Sequence, residues 1–388
     1  MRKVAIIGTG QIPHRSRMFE VNEQELIAPS VRAAIEDAGI EPSDIEATVF
    51  GSAITSIQDG IEGVGRLVVD SMGGVLKPSF RVHTGGTVGA SAALAAVYLV
   101  ASGDFDVALA AAGTVRAGAS GPRSQRALQL VGDPIYARGF SGGAVMGLAM
   151  NFKKYMEKTG TTEKHAAMCV VDARKNAGRN PFAHLKDEVT VAEVLSSPPL
   201  APPVKRMDMC PTSIGSAAIV VASEKFAKGK NTAWVKGISA VGEPNTYPDR
   251  DVIEAKCVRE AAGRAYSMAG MEDPAKQVQL VELYNACSYQ TMQWAECLFL
   301  CGDGEAKDMV EKGAFSFDGK IPINPSGGVL TTNNGSDAAM LRVVEAAVQV
   351  MGKGGERQVG DVKNAIAMGW GGGQQFACVF VLSGDANY

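Results

Sequence analysis

The sequence predicts an α/β protein made of two similar βαβαβ halves. Apolar runs of strand length alternate with segments of helical periodicity, which favours strands joined by crossover helices in a mainly parallel sheet. A strand, a glycine pair and a helix over 79–101 have a counterpart over 322–351, and both halves then close with a strand that ends in glycine. A repeat at this offset indicates two stacked halves, with a ligand site between them at the carboxyl ends of the strands.

The N-terminal half shows its elements in order. An apolar run over 4–8 predicts a buried strand. Asn22 and Glu25 have the spacing of a capping box at the start of a helix, and Gly39 is the residue that ends it. The glycine pair 85–86 precedes an alanine-rich helix. The other predicted elements are strands at 45–50, 79–83 and 106–112 and the alanine-rich helix itself at 88–101.

The stretch 114–225 differs in character from the rest of the chain. It contains a loop rich in glycine, serine and arginine at 118–126 and a proline-rich turn at 198–203. We interpret it as an insertion that covers a site, because long loops in compact domains are often functional. The predicted organisation is an N-terminal half over 1–116, an inserted loop domain over 117–210, a return strand over 211–228 and a C-terminal half over 229–388.

Charge and residue counts exclude several classes of protein. Lys plus Arg number 38 against 41 Asp plus Glu, a net charge of −3, so we expect no nucleic-acid partner. Apolar runs such as 92–101 are too short to span a bilayer, and the N-terminus shows no signal-peptide pattern, so we expect a cytoplasmic protein. Seven cysteines without a CxxC spacing argue against a metal site in this chain, and four histidines restrict any acid-base scheme.

The most specific motifs lie in the insertion and in the second half. They are YMEKTGTT at 155–162, NP at 180–181, DMCPTS at 208–213 and NPSGG at 324–328. Together with the two similar halves they resemble the thiolase superfamily, in particular its sterol-carrier-protein type, and the resemblance covers the whole chain. It implies the thiolase fold, a five-layered α-β-α-β-α core with an inserted loop domain over coenzyme A. It also implies that coenzyme A is a co-substrate and that no cofactor is bound permanently.

The chain departs from the superfamily pattern at its reactive positions. The nucleophilic cysteine of the resemblance falls on Gly86, and Asn334 stands in place of the histidine of a Gly-His-Pro turn. The terminal glycine loop at 369–373 lacks a cysteine, and the His-Asp-x-Phe or Asn-Glu-x-Phe motif becomes Tyr284-Asn-Ala-Cys287. Within the superfamily this combination resembles the large subunits of benzoylsuccinyl-CoA thiolases of anaerobic toluene degradation.

That closer resemblance implies a reaction and partners. The reaction is cleavage of 2-benzoylsuccinyl-CoA with coenzyme A to benzoyl-CoA and succinyl-CoA. The partner is a small zinc-finger, OB-fold subunit, which holds the only zinc of the complex. This chain is expected to form a homodimer within that heteromeric complex.

Cys287 is the candidate nucleophile. It follows a predicted strand and precedes a predicted helix, where backbone N–H groups and the helix dipole lower the pKa of a thiol. The alternative is a core residue, because free cysteine often fills buried apolar space. The other six cysteines are predicted to be structural.

Two sets of groups are candidates for stabilising the oxygen of the thioester or ketone. Asn334 can donate a hydrogen bond but cannot transfer a proton near neutral pH, and its alternative role is that of a turn residue. The backbone N–H groups of Gly86, Gly371 and Gly372 are the candidates for a second oxyanion hole. Glycine at position 86 also leaves the volume of the usual cysteine open for a bulky branched substrate.

The candidate proton donors also have alternative structural roles. His83 and Tyr284 are the candidate proton donors, but a hydrogen-bonded histidine or a packed tyrosine at a strand end explains the same residues. The motif resemblance also implies that Ser326, Gly327 and Gly328 contact the substrate.

Two other functions fit the sequence. One is a retro-aldolase of thiolase fold with a similar partner subunit, which would use tyrosine or other acid-base groups in place of the missing cysteine. The other is a non-catalytic subunit that binds coenzyme A as a scaffold. Cys287 is the feature that favours the thiolase.

Overall fold

The computed structural model describes residues 2–18, 20–53, 60–61, 63–114, 135, 143–245, 249–332 and 335–386. The strands are β1 (Val4–Gln11), β2 (Ala47–Gly51), β3 (Ser79–Val82), β4 (Val107–Thr114), β5 (Pro199–Ala201), β6 (Val204–Lys205), β7 (Gly215–Ser223), β8 (Ala233–Gly242), β9 (Leu280–Leu283), β10 (Asn364–Gly371) and β11 (Phe376–Ser383). The helices are α1 (Glu23–Ala38), α2 (Val64–Leu67), α3 (Val88–Ser102), α4 (Ala144–Thr159), α5 (Glu163–Gly178), α6 (Val191–Ser196), α7 (Glu224–Ala227), α8 (Lys256–Ala269), α9 (Pro274–Gln277), α10 (Gln290–Cys297), α11 (Ala306–Glu311) and α12 (Ala338–Val350).

The predicted duplication is visible in the order of the main sheet, β3-β2-β4-β7-β1-β8-β11-β10-β9. Each half contains a long strand, an outer helix, a short strand, a central helix and two closing strands. β1, α1, β2, α3, β4 and β7 of the first half therefore correspond to β8, α8, β9, α12, β10 and β11 of the second. In the second half an isolated parallel bridge between Val281 and Ile323 takes the place of β3. The two halves join where β1 pairs with β8.

The sheet is mixed, so the prediction of a mainly parallel sheet is wrong. β2 is parallel to β3 and β4, and β9 is parallel to β10, as the crossover helices require. The closing strands run the other way: β7 is antiparallel to β4 and β1, and β11 is antiparallel to β10 and β8. β11 follows β10 through a short turn, which only an antiparallel pair permits.

The two central helices, α3 and α12, approach each other closely near their amino ends. A Cβ on Gly89 would lie 2.5 Å from the backbone nitrogen of Met340 and 2.6 Å from the carbonyl oxygen of Ser336. Glycine at this position therefore lets the helix backbones pack together. The amino ends of both helices are thereby brought to the same place in the molecule.

One stretch of the described residues, Gly85–Ser102, is long and apolar enough to cross a membrane by length and composition alone. About half of it, 56%, is buried inside the protein. It contains α3, which packs against α12, β2 and β4. A buried helix at the centre of a folded core can meet the same criteria of length and composition.

Local signals place the outer helices as predicted. The side chain of Asn22 accepts a hydrogen bond from the Glu25 nitrogen, Glu25 reciprocates at the Asn22 nitrogen, and Gly39 ends α1 with φ 60°. The described part of the insertion folds into α4, α5, α6 and the β5–β6 pair. The loop at 118–126 lies outside the described residues.

Candidate active site

The glycine-rich turns of the two halves meet, as the sequence analysis expected. A Cβ on Gly371 would lie 2.5 Å from the Gly86 nitrogen, and a Cβ on Gly85 would lie 3.1 Å from the Gly372 nitrogen. Any side chain at position 371 would therefore push the two turns apart. The arrangement places backbone N–H groups of both halves together at the amino end of α3, in the setting that an oxyanion hole requires.

Tyr284 reaches the position at which the superfamily resemblance puts a cysteine. A Cβ on Gly86 would lie 3.4 Å from the Tyr284 hydroxyl oxygen and 2.9 Å from the carbonyl oxygen of Trp370. The expectation that glycine at 86 leaves open volume for a substrate is therefore wrong, because these two oxygens border that volume. A phenol at the end of β9 stands beside the position of the missing thiol.

Aromatic packing fixes the orientation of Tyr284. Its ring lies 5.7 Å from that of Trp370, and the ring of Trp294 lies 5.8 Å from that of Trp370 on the other side. The Trp294 indole N–H donates a hydrogen bond of 2.8 Å to the Tyr284 carbonyl oxygen. Tyr284 is only 2% exposed, so its hydroxyl has little freedom to leave the site.

Cys287 lies between β9 and α10, where the sequence placed it, but its environment differs from the expected one. The nearby backbone N–H groups of Tyr289 and Ser288 lower the thiol pKa, although the Ser288 N–H donates its hydrogen bond to the Asp208 carbonyl oxygen at 2.8 Å. Complete burial and the nearby Asp208 carboxylate raise it more strongly, so the pKa of Cys287 lies well above its usual value. The prediction of a lowered pKa is wrong because the helix terminus is buried together with the thiol.

The DMCPTS motif packs directly against Cys287. Met209 and Cys287 form an antiparallel bridge, and the Cys210 nitrogen donates to the Ala286 carbonyl oxygen at 2.9 Å. The Asp208 carboxylate accepts a hydrogen bond of 2.6 Å from the Ser288 hydroxyl. Burial raises the pKa of Asp208, and the hydrogen bond from Ser288 opposes that rise. The motif therefore supplies the main electrostatic neighbour of the candidate nucleophile.

Two asparagines that the sequence analysis did not single out hold the turns around the site. The Asn285 side-chain oxygen accepts hydrogen bonds from the Asn324 amide at 3.0 Å and from the Val329 nitrogen at 3.2 Å. The Asn324 side-chain oxygen accepts one of 2.7 Å from the Leu283 nitrogen. A cavity of about 20 Å³ beside both asparagines, also lined by Asp172, has room for about one water molecule. The sequence signal that could have identified them is one asparagine in each of the motifs 284–287 and 324–328.

Ser326 belongs to the framework of the site, contrary to the expectation that it contacts substrate. Its hydroxyl donates to the Glu282 carboxylate at 2.8 Å and accepts from the Arg342 guanidinium at 2.9 Å, and Glu282 and Arg342 form a buried ion pair. A Cβ on Gly328 would lie 2.8 Å from the Asn324 side-chain carbon, and a Cβ on Gly327 would lie 2.9 Å from the Ala177 methyl carbon. The Ser326 hydroxyl is thus already hydrogen-bonded, and neighbouring side chains already fill the Cβ positions of Gly327 and Gly328. The motif 324–328 therefore packs against the rest of the protein.

The other candidate residues have separate outcomes. His83 is exposed and makes no hydrogen bond to another residue in the described part of the chain. Asn334 lies outside the described residues. No group of three or more His, Cys, Asp or Glu residues that could hold a metal ion occurs within the described ranges.

Comparisons with known proteins agree with this architecture. Residues 240–384 match the family described as "Thiolase C-terminal domain-like". An acetyl-CoA acetyltransferase of Methanothermobacter thermautotrophicus is 28% identical over 387 residues, which cover 99% of this chain and 100% of that protein. Benzoylsuccinyl-CoA thiolase subunit BbsB of Thauera aromatica is 28% identical over 363 residues, 90% of this chain and 89% of that protein.

A solved structure described as "Ltp2-ChsH2(DUF35) aldolase" superposes with a TM-score of 0.84 at 24% identity, covering 99% of this chain and 98% of that one. That likeness concerns the fold. The chain is therefore similar over its full length to acyltransferases of the thiolase superfamily, and its second half matches the C-terminal domain of that family.

Proposed function

We propose that this enzyme cleaves 2-benzoylsuccinyl-CoA with coenzyme A to give benzoyl-CoA and succinyl-CoA, using Cys287 as the acyl carrier. The observation that carries the proposal is the position of Cys287, which lies between the end of β9 and the start of α10 and pairs with Met209 of the DMCPTS motif. The position of the usual nucleophile is glycine, at Gly86. Similarity to a benzoylsuccinyl-CoA thiolase subunit over 90% of the chain supports the choice of substrate.

The reaction proceeds in two acyl transfers. The Cys287 sulfur bonds to the keto carbon next to the phenyl ring, and the bond from that carbon to the succinyl portion breaks. The electron pair of the broken bond forms the succinyl-CoA enolate, which takes up the proton released by the thiol. The sulfur of free coenzyme A then bonds to the benzoyl carbonyl carbon, the bond from that carbon to the Cys287 sulfur breaks, and the coenzyme A thiol proton returns to Cys287.

The surrounding residues take defined roles in this scheme. The Tyr284 hydroxyl, beside the Gly86 position, delivers the proton to the enolate carbon. The backbone N–H groups of Gly86, Gly371 and Gly372, with Asn334, stabilise the negative oxygen of each intermediate. The raised pKa of Cys287 keeps the resting thiol protonated, so the bound substrate must supply the polar environment in which the thiolate forms.

The test is to trap the acyl-enzyme. Incubation with benzoyl-CoA, followed by peptide mass spectrometry, should show a benzoyl adduct on the peptide containing Cys287, and Cys287→Ala should abolish both adduct and turnover. Cys169→Ala is a matched control, because burial also raises the pKa of that thiol and it lies outside the glycine turns. Absence of the adduct, with turnover retained in Cys287→Ala, would overturn the proposal.

Retro-aldol cleavage is the second candidate, and the position of Tyr284 is the observation that favours it. A phenol beside the vacant thiol position can accept the proton of a β-hydroxyl group while the carbon–carbon bond breaks. Assay of a β-hydroxyacyl-CoA separates the two reactions. Cleavage that needs no coenzyme A and survives Cys287→Ala identifies a lyase. No cleavage of either substrate, with coenzyme A bound, identifies the scaffold role.

We further propose that the chain works in the cytoplasm as a homodimer with a small zinc-finger, OB-fold subunit. A relative described as a thiolase subunit and a structural neighbour whose description pairs Ltp2 with ChsH2(DUF35) support a heteromeric complex. β3 supports the homodimer, because it lies at the edge of the main sheet and Phe80 on it is 48% exposed. Coenzyme A is proposed as a co-substrate, and zinc as a component of the partner only.

A further inference from the structure

A buried histidine–aspartate pair lies outside the groups used in the reaction scheme. His14 follows β1, and Asp337 directly precedes α12. The His14 Nε2 and Asp337 Oδ2 atoms are 2.6 Å apart, and both side chains are completely buried. The contact joins residues 323 positions apart, so it ties the first strand of one half to the central helix of the other.

At the start of β7, the His14 ring of the pair occupies the space that a side chain at position 215 would need. A Cβ on Gly215 would overlap the His14 imidazole ring, approaching its Cε1 atom to 2.6 Å. The φ of Gly215 is outside the left-handed region, so the ring, and not the backbone conformation, requires glycine here. An alanine at this position would force the imidazole away from Asp337.

The pair is an expensive way to obtain stability alone. With Nε2 bonded to the carboxylate, the His14 Nδ1 atom is buried without a hydrogen-bond partner among the described residues. An unpaired buried polar atom typically costs about 1–3 kcal/mol. Burial of two polar side chains also costs desolvation, which their mutual hydrogen bond offsets only in part. A polar pair retained under these conditions points to a role in positioning.

The Asp337 end of the pair belongs to a set of contacts that fasten the start of α12. The Ser336 nitrogen donates to the Thr114 hydroxyl at 2.6 Å, and the Ser336 hydroxyl accepts from the Ala53 nitrogen at 3.1 Å. These partners lie at the carboxyl ends of β4 and β2. The start of α12 is thus held to the same end of the sheet as the glycine turn before α3.

The chain on the other side of 333–335 is fastened in a similar way. The Ser213 hydroxyl donates to the Thr332 carbonyl oxygen, and the His184 Nδ1 atom lies 2.7 Å from the same hydroxyl. The His184 and Leu185 nitrogens both donate to the Thr331 carbonyl oxygen. The positions of Thr331, Thr332 and Ser336 therefore depend on partners that take no part in the proposed reaction.

We infer that His14 is a positioning residue, which acts through Asp337 to set the amino end of α12 against the Gly86 turn. The inference rests on the proposed function, in which the turns before the two central helices stabilise the same oxygen. His14 itself does not contact the substrate. Its loss should therefore reduce the rate of the chemical step and leave coenzyme A binding unchanged.

A double-mutant cycle tests the inference in two independent ways. His14→Phe removes the contact, and Gly215→Ala displaces the ring while keeping the histidine. Each should lower kcat for 2-benzoylsuccinyl-CoA about tenfold with KM within about twofold, and the double variant should be no worse than either single one. Asp337→Asn retains an acceptor oxygen for Nε2–H, so this variant should keep most of the wild-type kcat. His165→Gln is the control, since that histidine pairs with the half-exposed Glu311 at 3.1 Å and faces neither turn.

Hydrogen exchange gives a readout that does not depend on the identity of the substrate. Peptides covering 335–341 should exchange faster in His14→Phe and Gly215→Ala, while peptides from β10 and β11 stay unchanged. Unchanged exchange at 335–341 in both variants would overturn the inference, even if no substrate were turned over by the wild-type enzyme. Additive loss of kcat in the double variant, or a loss that only follows the folded fraction in thermal melts, would overturn it as well.

Discussion

Cys287 lies among groups that oppose each other. Two backbone N–H groups favour its thiolate, whereas complete burial and Asp208 favour the thiol, and the second pair is stronger. The resting enzyme is therefore protected from oxidation and alkylation at this residue, because both reactions require the thiolate. In the proposed reaction, binding of the substrate is the event that changes these surroundings and makes the thiol reactive.

Neutralising Asp208 should make Cys287 more reactive. In Asp208→Asn the negative charge that raises the thiol pKa is absent, while the side-chain oxygen still accepts the Ser288 hydrogen bond. A lower pKa means a larger thiolate fraction at any pH below it, so iodoacetamide labelling of Cys287 at pH 8 should be about three- to tenfold faster. Asp172→Asn is the matched control, since Asp172 raises the pKa of Cys169 and should change the labelling of that residue alone. Equal labelling of Cys287 in wild type and Asp208→Asn would contradict the account.

Tyr284 should be required for turnover but not for folding. Its hydroxyl lies 3.4 Å from the Cβ position of residue 86, so Tyr284→Phe removes the proton donor of the proposed reaction while keeping the ring. We expect kcat to fall about 100-fold or more, the range of a general acid, with a melting temperature close to that of wild type. Tyr266→Phe removes a similarly buried hydroxyl, which donates to the Leu298 carbonyl oxygen, and should leave kcat within about twofold. Full activity in Tyr284→Phe would exclude the phenol from proton transfer.

The close approach of the glycine turns was predictable from the sequence. The pKa of Cys287 and the direction of the Tyr284 side chain were not. Paired glycines next to predicted helices indicate close backbone approach, and Gly86 and Gly371 do approach each other. The rise in the Cys287 pKa comes from burial and from Asp208, which is 79 positions earlier in the sequence. The direction of Tyr284 depends on two tryptophans of α10 and β10 that sequence spacing does not bring together.

At the scale of secondary-structure elements, β9 and α12 are joined by a buried ion pair. The Glu282 carboxylate on β9 and the Arg342 guanidinium on α12 are 0% and 2% exposed, and the Ser326 hydroxyl bonds to both. Burial raises the pKa of Glu282 to about 7, and the Arg342 charge opposes that rise. The pair connects the motif 324–328 to the central helix α12 and so fixes the position of that motif relative to the helix.

Breaking this ion pair on one side should be costly. Glu282→Gln leaves the Arg342 charge buried without a counter-charge, so the free energy of unfolding in urea should fall by about 3–5 kcal/mol. The double variant Glu282→Gln, Arg342→Met removes both charges and should recover part of that loss. The control is Arg264→Ala on α8, which breaks an exposed pair with Glu260 and should cost no more than about 0.5 kcal/mol. A loss of less than about 1 kcal/mol in the free energy of unfolding of Glu282→Gln would show that the pair contributes little to the stability of the fold.

Local sequence signals located elements well where one residue type has one structural meaning. The Asn22–Glu25 capping box and Gly39 delimit α1, and the glycine pair precedes α3, as predicted. They failed for strand direction, because the apolar runs of β7 and β11 look the same whether they run parallel or antiparallel to their neighbours. Strand direction follows from the connection between strands, and for β7 that connection is the long insertion.

At the scale of the whole molecule, the two halves put equivalent helix ends at one place. α3 and α12 pack through Gly89, and the turn before α3 meets the glycine loop at the end of β10. The repeat in the sequence was sufficient to predict this arrangement, because duplicated halves that stack must bring their equivalent turns together. The sequence does not contain the information that distinguishes a thiolase from a retro-aldolase on this framework, since both use the same turns and differ in which side chain transfers the proton.

The edge of the sheet provides the last prediction, which concerns assembly. β3 pairs with β2 on one side and ends the nine-stranded sheet on the other, and Phe80 on it is 48% exposed. Apolar side chains near it in sequence are also exposed, including Val75 at 54%. An open, partly apolar edge strand readily pairs with a second copy of itself, so we expect a homodimer joined through β3. Phe80→Asp should convert the dimer to a monomer in light scattering coupled to gel filtration, because it places two like charges at the pairing strands. Met268→Asp, at a comparably exposed apolar residue on α8, should leave the dimer intact. A dimer that persists in Phe80→Asp with unchanged affinity would place the subunit contact elsewhere on the surface.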